Sequence, residues 1–251
     1  MLSIEPLGLL HGQAARDAIE RRLALPLAGG PAAFSLVRLP GDPRGIVPVA
    51  LIPAEHRPAL ARITAARPTF AGLPGTGPWV MAILNVTPDS FSDGGQHATT
   101  EAAIAAARAP VILMHMRGTP QTMSEHTSYA DVAAEVVREL ADRVAAAEAA
   151  GIARADIAID PGIGFAKENP ASIELLDRLP VLHNLGCRIL AGVSRKRFIG
   201  ALTGEPIAAR RMPGSLAAAL TALDRGATIL RVHDVGETVQ ALRVWRGMNI
   251  S

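Results

Sequence analysis

The chain of 251 residues contains very little cysteine and no long apolar run. Cys187 is its single cysteine, which excludes an internal disulfide and a cysteine-cluster metal site. No apolar run approaches the ~18 residues that a membrane span needs. The first residues include acidic Glu5 and lack the basic stretch of a targeting signal. We therefore expect a soluble, cytoplasmic protein with no membrane partner.

Lysine is also scarce, because 23 of the 25 basic residues are arginine and only Lys167 and Lys196 are lysine. In such a background a lysine can mark a place that needs a compact ammonium on a flexible stem. For Lys167, chance is an equally good explanation. The net charge of +2 is too small to indicate a nucleic-acid partner. With 49% hydrophobic and 19% charged residues, the chain can bury a large core.

The first 78 residues, which are rich in proline, glycine and arginine, differ from the rest. They predict a helix over Ala14–Leu25 and two extended segments, Phe34–Leu39 and Ile46–Ile52, with a turn at Pro40–Pro43 between them. They contain no catalytic motif. We interpret residues 1–78 as an N-terminal extension of unknown role, and residues 79–251 as the domain that carries function.

From Val80 onward, short apolar runs end in polar or glycine residues and are followed by helical periodicity. This alternation is typical of an α/β protein with a parallel sheet. It predicts five buried parallel strands: Val80–Val86, Pro110–Met116, Asp156–Ile159, Arg188–Val193 and Thr228–Val232. The helical stretches are Tyr129–Ala150, a helix capped by Asn169, Pro213–Arg225 and Glu237–Trp245.

Polar side chains follow each of these strands. They are Asn85, His115, Arg117, Asp160, Ser194, Arg195, Lys196, His233 and Asp234. Because the carboxyl ends of parallel strands meet at one edge, a single pocket could hold all of them.

The loop Asn85–Gly95 is long and polar, with a proline, two carboxylates and two glycines. An ordinary connection usually carries fewer polar groups in a row, so we favour a mobile active-site loop. Asn85 offers a neutral oxygen, which suits Mg²⁺ when substrate phosphates supply most of the charge.

The segment Asp160–Lys167 lies between a strand and a helix, and its glycines allow a ligand to approach the backbone. Their spacing is not that of a dinucleotide site. Asp160 could accept two parallel hydrogen bonds from a heterocycle with a guanidine-like edge. A strand-end aspartate that only caps a helix or forms a turn is the alternative.

The run Ser194–Arg197 places three cations at one strand end, where a bound anion or solvent must offset their repulsion. For Arg197 we favour solvent. Arg231 and His233 are two residues apart and therefore lie on one side of a strand. A guanidinium and an imidazole in this arrangement suit a phosphate or pyrophosphate.

Five strings, MAILNVTPDSFSDGG, PVILMHMRGTPQTM, DPGIGFAKE, GVSRKRFIG and GSLAAAL with RVHDV, resemble the dihydropteroate synthase family. Pterin-dependent methyltransferases share the barrel and the pterin site, but the NVTPDSFSDGG and SRK strings are more similar to the synthase. The resemblance implies a TIM (β/α)₈ barrel. It also implies a transferase of folate biosynthesis that joins hydroxymethyl-dihydropterin pyrophosphate to para-aminobenzoate, releasing pyrophosphate.

The resemblance assigns roles to individual residues. It implies that Asn85 holds Mg²⁺ and pyrophosphate, that Asp160 accepts from the pterin ring, and that Lys196 lies over the pterin. Arg231 and His233 match the pair that holds the ring and the pyrophosphate. Lys196, Arg231 and His233 are thus the expected catalytic residues.

For the second substrate, the resemblance places Phe165 and Ser194 near the aminobenzoate. The reaction breaks the C–O bond to pyrophosphate, and the arylamine then attacks the methylene carbon. The protein's main tasks are to stabilise the departing anion and to orient the amine. The resemblance leaves open a homodimer.

The chain departs from this family between Gly95 and Pro110, where it has only fourteen residues. The family has three further βα units there, at roughly 30 residues each. Those units carry a second mobile loop, a pterin-binding aspartate and an Asn-Asp pair. We therefore expect an incomplete barrel with about five strands and Ala98–Arg108 as a helix leading into the next strand. Two hypotheses follow: a dihydropteroate synthase, or a catalytically impaired remnant that binds only pyrophosphate or pterin.

Overall fold

The computed structural model describes residues 3–73, 77–83 and 109–250. Its strands are β1 (Glu5–Leu10), β2 (Leu25–Pro26), β3 (Ala33–Arg38), β4 (Ile46–Pro48), β5 (Trp79–Ala82), β6 (Val111–Met114), β7 (Ile157–Asp160), β8 (Arg188–Ala191) and β9 (Ile229–Val232). Its α-helices are α1 (Gly12–Glu20), α2 (Arg57–Thr64), α3 (Val132–Ala149), α4 (Asn169–Asp177), α5 (Arg197–Thr203), α6 (Met212–Asp224) and α7 (Val235–Asn249). The predicted loop Asn85–Gly95 and helix Ala98–Arg108 lie outside the described residues.

The five predicted parallel strands are confirmed as one sheet in the order β5-β9-β8-β7-β6. Every residue of β7 and β8 is buried, as predicted. The expectation of burial is wrong for β5 and β6, which are only partly buried. These two strands are the edges of the described sheet, where a neighbour covers one side only.

The order of the strands is the order found in the wall of a barrel. Strands β6 to β9 follow one another in chain order, and the last strand then pairs with β5, the first. Trp79 lies opposite Ile229 in that pair. Pairing between the first and last strands is how a (β/α)₈ barrel closes. Within the described residues, the wall is open between β5 and β6.

Helix α3 shows how the sequence builds the layer outside this wall. The carboxylate of Asp131 accepts from the backbone N–H of Ala134 at 2.9 Å and so caps the first turn. Val136, Leu140 and Val144 lie on one buried stripe. The helix begins after this cap and not at Tyr129, because the capping geometry fixes its start.

Two other predicted boundaries differ from the structure. Asn169 is the first residue of α4 and not its cap, since Glu168 occupies the capping position in an extended conformation. The segment Leu179–Leu185, which follows α4, forms a buried 3₁₀ helix that the sequence did not predict.

Residues 3–64 form a separate antiparallel sheet, with β3 at its centre and β1, β2 and β4 paired to it. Phe34, Val37 and Leu39 belong to its own hydrophobic core. The predicted helix in this region is shorter than expected and ends at Glu20. The second extended segment ends at Pro48 and continues as a 3₁₀ turn.

This N-terminal sheet contacts the outside of the parallel-strand region through the Leu179–Leu185 segment. The backbone N–H of Ile4 donates to Oδ1 of Asn184 at 3.1 Å, and Nδ2 of Asn184 donates to the Ile4 carbonyl at 2.7 Å. Arg178 forms an ion pair with buried Glu5 at 2.8 Å. No helix among the described residues is long and apolar enough to cross a membrane.

Candidate active site

The carboxyl ends of β7, β8 and β9 bring together the residues that the sequence singled out. Asp160 is the last residue of β7, Ser194 follows the end of β8, and His233 follows β9 directly. Since these strands are parallel neighbours, their ends lie at one edge of the sheet.

An ion pair joins two of these strand ends. Nη2 of Arg231 lies 3.0 Å from Oδ2 of Asp160. The guanidinium passes over Gly192, where a Cβ would lie 2.9 Å from Nη2. Glycine at this position therefore leaves the space that Arg231 occupies.

Asp160 is completely buried, and its two carboxylate oxygens have different surroundings. Oδ1 accepts from the backbone N–H of Gly162 at 2.8 Å. Oδ2 faces Arg231 but accepts no hydrogen bond in the part of the chain that the structure describes. Burial raises the pKa of Asp160, and the positive charge of Arg231 opposes that rise. The result is a buried carboxylate with an unused acceptor, which suits a ligand with N–H donors.

The second of the two lysines lies beside this carboxylate. Nζ of Lys196 is 3.8 Å from the centre of the Phe165 ring, a cation–π contact. Burial lowers the pKa of Lys196 to about 8, and the charge of Asp160 opposes that change. Arg197 is exposed, which confirms the expectation that solvent surrounds it.

Ser194 and His233 form a hydrogen-bonded pair across β8 and β9. The backbone N–H of His233 donates to Oγ of Ser194 at 3.2 Å, and Oγ lies 3.0 Å from Nδ1 of His233. With its hydroxyl hydrogen directed to Nδ1, Ser194 leaves the proton of a neutral imidazole on Nε2. Burial lowers the pKa of His233, so the neutral ring is favoured.

Arg195, the remaining cation of the Ser194–Arg197 run, is neutralised within the chain. Nη2 of Arg195 lies 2.5 Å from Oδ1 of Asp234. The backbone N–H of Arg195 donates to Oγ of Ser215 at 2.8 Å. The repulsion that the sequence indicated is thus offset by a carboxylate for Arg195 and by solvent for Arg197.

His115 and Arg117 form a second group of polar residues, which contacts Glu139 on α3. Nε2 of buried His115 lies 2.9 Å from Oε2 of Glu139, and Nε of Arg117 donates to Oε1 at 3.0 Å. Burial, reinforced by the charge of Lys167, lowers the pKa of His115 to about 4. The imidazole is therefore neutral at pH 7.

Lys167 links the two groups and is buried, with 2% of its surface exposed. Its ammonium donates to Nδ1 of His115 at 2.8 Å and to the carbonyls of Gly162 at 3.2 Å and Phe165 at 3.0 Å. Gly162 has a φ of +66°, and a Cβ there would lie 1.9 Å from the His115 carbonyl oxygen. Only glycine fits at this crossing.

Sequence reasoning missed the roles of Glu139 and Lys167. A signal for Glu139 was present, because Glu135 and Glu139 are four residues apart on one helix face and both contact Arg117. The scarcity of lysine was the corresponding signal for Lys167.

No group of three or more His, Cys, Asp or Glu side chains that could hold a metal ion occurs among the described residues. Asn85, the expected Mg²⁺ residue, lies outside them.

Comparison with known proteins gives a consistent picture. A family model described as "Pterin binding enzyme" matches residues 103–233, just over half of the chain. The dihydropteroate synthase of Neisseria meningitidis serogroup B is 49% identical over 144 residues, which cover 56% of this chain and 50% of the relative. The chain thus spans about half the length of the curated relatives that it matches.

Two solved structures of the Xanthomonas albilineans dihydropteroate synthase are also similar. The one with 4-aminobenzoic acid is 50% identical, has a TM-score of 0.54, and is matched over 59% of this chain and 52% of that chain. The one in complex with 7,8-dihydropteroate is 49% identical, has a TM-score of 0.54, and is matched over 59% of this chain and 53% of that chain. These similarities confirm the TIM-barrel class that the sequence predicted. The chain belongs to the pterin binding enzyme family, and the relatives it resembles are dihydropteroate synthases.

Proposed function

We propose that the strand-end site performs the dihydropteroate synthase reaction. In this reaction hydroxymethyl-dihydropterin pyrophosphate and para-aminobenzoate form dihydropteroate and pyrophosphate, a transferase step of folate biosynthesis. The observation that carries the proposal is the buried Asp160 carboxylate, whose Oδ2 accepts no hydrogen bond among the described residues while Arg231 balances its charge.

Asp160 has the chemistry to select a pterin. A carboxylate accepts two parallel hydrogen bonds from a ring edge with adjacent N–H groups, and a pterin has such an edge. Because Asp160 is buried, a ring without those donors would leave the acceptor unsatisfied. Lys196 brings a positive charge to the same place, and the Phe165 ring beneath it adds a flat apolar surface.

Arg231 and His233 suit the leaving group. As the C–O bond breaks, pyrophosphate departs with the bonding electrons and its negative charge increases. A guanidinium and the Nε2–H of His233 would both stabilise that charge. The amine nitrogen of para-aminobenzoate then bonds to the methylene carbon and loses a proton. Phe165 and Ser194 are the proposed contacts of the aminobenzoate, and a solved relative contains 4-aminobenzoic acid.

Mg²⁺ forms part of the proposal through Asn85. An amide oxygen suits a hard cation, and the pyrophosphate would supply most of the negative charge around it. When bound, Mg²⁺ would help to neutralise the departing pyrophosphate.

A second candidate function is a module that binds pterin or pyrophosphate with little turnover. The sheet is open between β5 and β6 in the described part of the chain, and the match spans only half of each relative. The missing βα units would carry further ring-binding groups. An open sheet would also admit water to a site that works best without it.

A product assay with the 251-residue chain decides between these functions. Formation of dihydropteroate from both substrates, at a rate that Asp160→Asn abolishes, would support the synthase. Pterin pyrophosphate binding without product would favour the module. In that case a variant with three βα units inserted between Gly95 and Pro110 should form dihydropteroate if the rest of the site is competent.

The location, partners and assembly of the protein follow from the proposed function. A folate-pathway enzyme acts on soluble small molecules, so we propose a cytoplasmic protein without nucleic-acid partners. A homodimer is the proposed assembly.

A further inference from the structure

Lys167 is a buried cation that the proposed reaction does not use. Among the described residues it forms no ion pair within 4.0 Å. Its three close partners are the His115 imidazole and the carbonyl oxygens of Gly162 and Phe165. The ammonium therefore lies beneath the loop of residues 161–166 and contacts it at two points.

Both contact points adjoin groups of the candidate site. The backbone N–H of Gly162 donates to Asp160, and the side chain of Phe165 lies under Lys196. A third link comes from Tyr129, whose hydroxyl donates to the Ala166 carbonyl at 2.9 Å. The conformation of one short loop thus determines where the carboxylate and the ring lie.

The imidazole of His115 can accept from Lys167 because of its own partner. Glu139 accepts the proton of Nε2, which leaves the lone pair of Nδ1 directed at Lys167. Arg117 in turn fixes Glu139 with three hydrogen bonds. The chain of contacts runs from Arg117 through Glu139, His115 and Lys167 to the loop.

We propose that Lys167 is a positioning residue whose side-chain nitrogen holds loop 161–166 in the conformation that presents Asp160 and Phe165 to a ligand. Identification of that ligand as a pterin rests on the proposed function. A neutral amine keeps two of its three hydrogens, so it can still hold the loop while it no longer carries a buried charge.

The surroundings of Lys167 place its deprotonation near neutral pH. Burial lowers its pKa to about 7, while the charges of Asp160 and Glu139 oppose that change. Arg117 and Lys196 lower it further. Neutral His115 is its hydrogen-bond partner, and the Tyr129 ring lies 5.9 Å from Nζ. Because an amine exposed by an open loop keeps a higher pKa, deprotonation favours the proposed loop conformation, which gains stability as the pH rises above about 7.

Hydrogen exchange of the full chain, without any ligand, tests the loop directly. Protection of a peptide spanning residues 161–167, corrected for intrinsic exchange rates, should rise about tenfold between pH 6 and pH 9. Protection of helix α6 serves as the internal control and should stay constant. This measurement needs no variant. Loop protection that does not change with pH would overturn the proposal.

Variants then test whether Lys167 causes the pH dependence of loop protection. In Lys167→Met the loop should exchange at the same fast, corrected rate at every pH, whereas Lys167→Arg should restore protection only in part. Arg197→Met removes an exposed cation and should behave as the wild type. If loop protection in Lys167→Met still changes with pH, another group is responsible and the proposal is wrong.

Calorimetry with hydroxymethyl-dihydropterin separates this inference from the proposed function. If the wild type binds, its Kd should fall from pH 6 to pH 9 relative to that of Lys167→Met, since Lys196 and His233 titrate in both. Equal slopes would overturn the positioning role. If the wild type does not bind at any pH, the proposed function fails, while the loop measurement still decides the role of Lys167.

Discussion

The ammonium of Lys196 lies 3.8 Å from the centre of the Phe165 ring, and the ammonium of the other lysine holds the backbone of the same phenylalanine. Both lysines of a chain with 23 arginines therefore act on one residue. A compact ammonium fits each position, where a planar guanidinium would need more room.

Replacing Lys196 tests this fit. We expect Lys196→Arg to weaken hydroxymethyl-dihydropterin binding at least about tenfold, because the larger group displaces the ring or the ligand. The exposed neighbour provides the matched control, and Arg197→Lys should leave the Kd unchanged. Similar losses in both variants, measured by calorimetry, would indicate a general basic patch.

A second prediction concerns the unused oxygen of Asp160. Asp160→Asn replaces one acceptor with a donor, so pterin binding should weaken by about 1–3 kcal/mol. The melting temperature should fall only moderately, because Arg231 loses its carboxylate partner but keeps part of its side chain in solvent. Asp177→Asn, at an exposed carboxylate, is the control for charge. Unchanged pterin affinity in Asp160→Asn would rule out Asp160 as the ring acceptor.

The crossing of Gly162 over His115 predicts a large effect of one methyl group. In Gly162→Ala the Cβ would meet the His115 carbonyl oxygen, so the free energy of unfolding should fall by at least about 3 kcal/mol. Gly204 also has a positive φ but no atom within 4 Å of such a Cβ. Gly204→Ala should cost only about 1–2 kcal/mol. Equal costs in denaturant unfolding would mean that backbone strain alone matters.

Acid should destabilise the chain through its buried histidines. Burial lowers the pKa of His183 to about 3 and that of His115 to about 4. Between these values and about 6.5 the unfolded chain binds more protons, so the free energy of unfolding falls as the pH falls. Each neutral histidine contributes about 2 kcal/mol of this loss between pH 7 and pH 5.

Variants separate His183 from other titrating groups, including Asp160, whose raised pKa acts in the opposite direction. His183→Gln should reduce the loss between pH 7 and pH 5 by about 2 kcal/mol. His126→Gln, at an exposed histidine, should not reduce it. A pH dependence in His183→Gln that equals that of the wild type would contradict the prediction.

Pyrophosphate tests the leaving-group site. With Mg²⁺ it should raise the melting temperature of the wild type by about 2–4 °C for each kcal/mol of binding. Arg231→Met should lose this shift, and Asn85→Ala should lose only the part that depends on Mg²⁺. Arg243→Met, at an exposed arginine of α7, should keep the full shift. No shift in the folded wild type at millimolar pyrophosphate would remove the anion site from the proposal.

The sequence predicted the parallel strands well because their signal is local. Ile157–Asp160 and Arg188–Ala191 are short apolar runs next to polar residues, and burial on both faces needs such runs. Strand β1 was not predicted, because Pro6 and Gly8 are typical of a turn. Gly8 has a φ of +61° within the strand, a conformation that depends on its pairing with β3.

The sequence predicted which residues form the site but not which of them contact one another. Strand-end positions identified Asp160, Ser194 and His233, since parallel strands end together. The two-residue spacing to His233 identified Arg231. That Arg231 pairs with Asp160, and that Lys167 lies beneath the loop, depends on side-chain directions in three dimensions. Neither spacing nor composition contains that information.

The neighbour relation of β5 and β9 also has a consequence for synthesis of the chain. Trp79 and Ile229 pair although roughly 150 residues separate them. During translation β5 is made early, and the partner that it has among the described residues is complete only when β9 has been made. Contacts of such long range form slowly, and an unpaired apolar strand invites association with other chains. Efficient production of the folded protein should therefore depend on how well nascent chains are shielded before the last strand emerges.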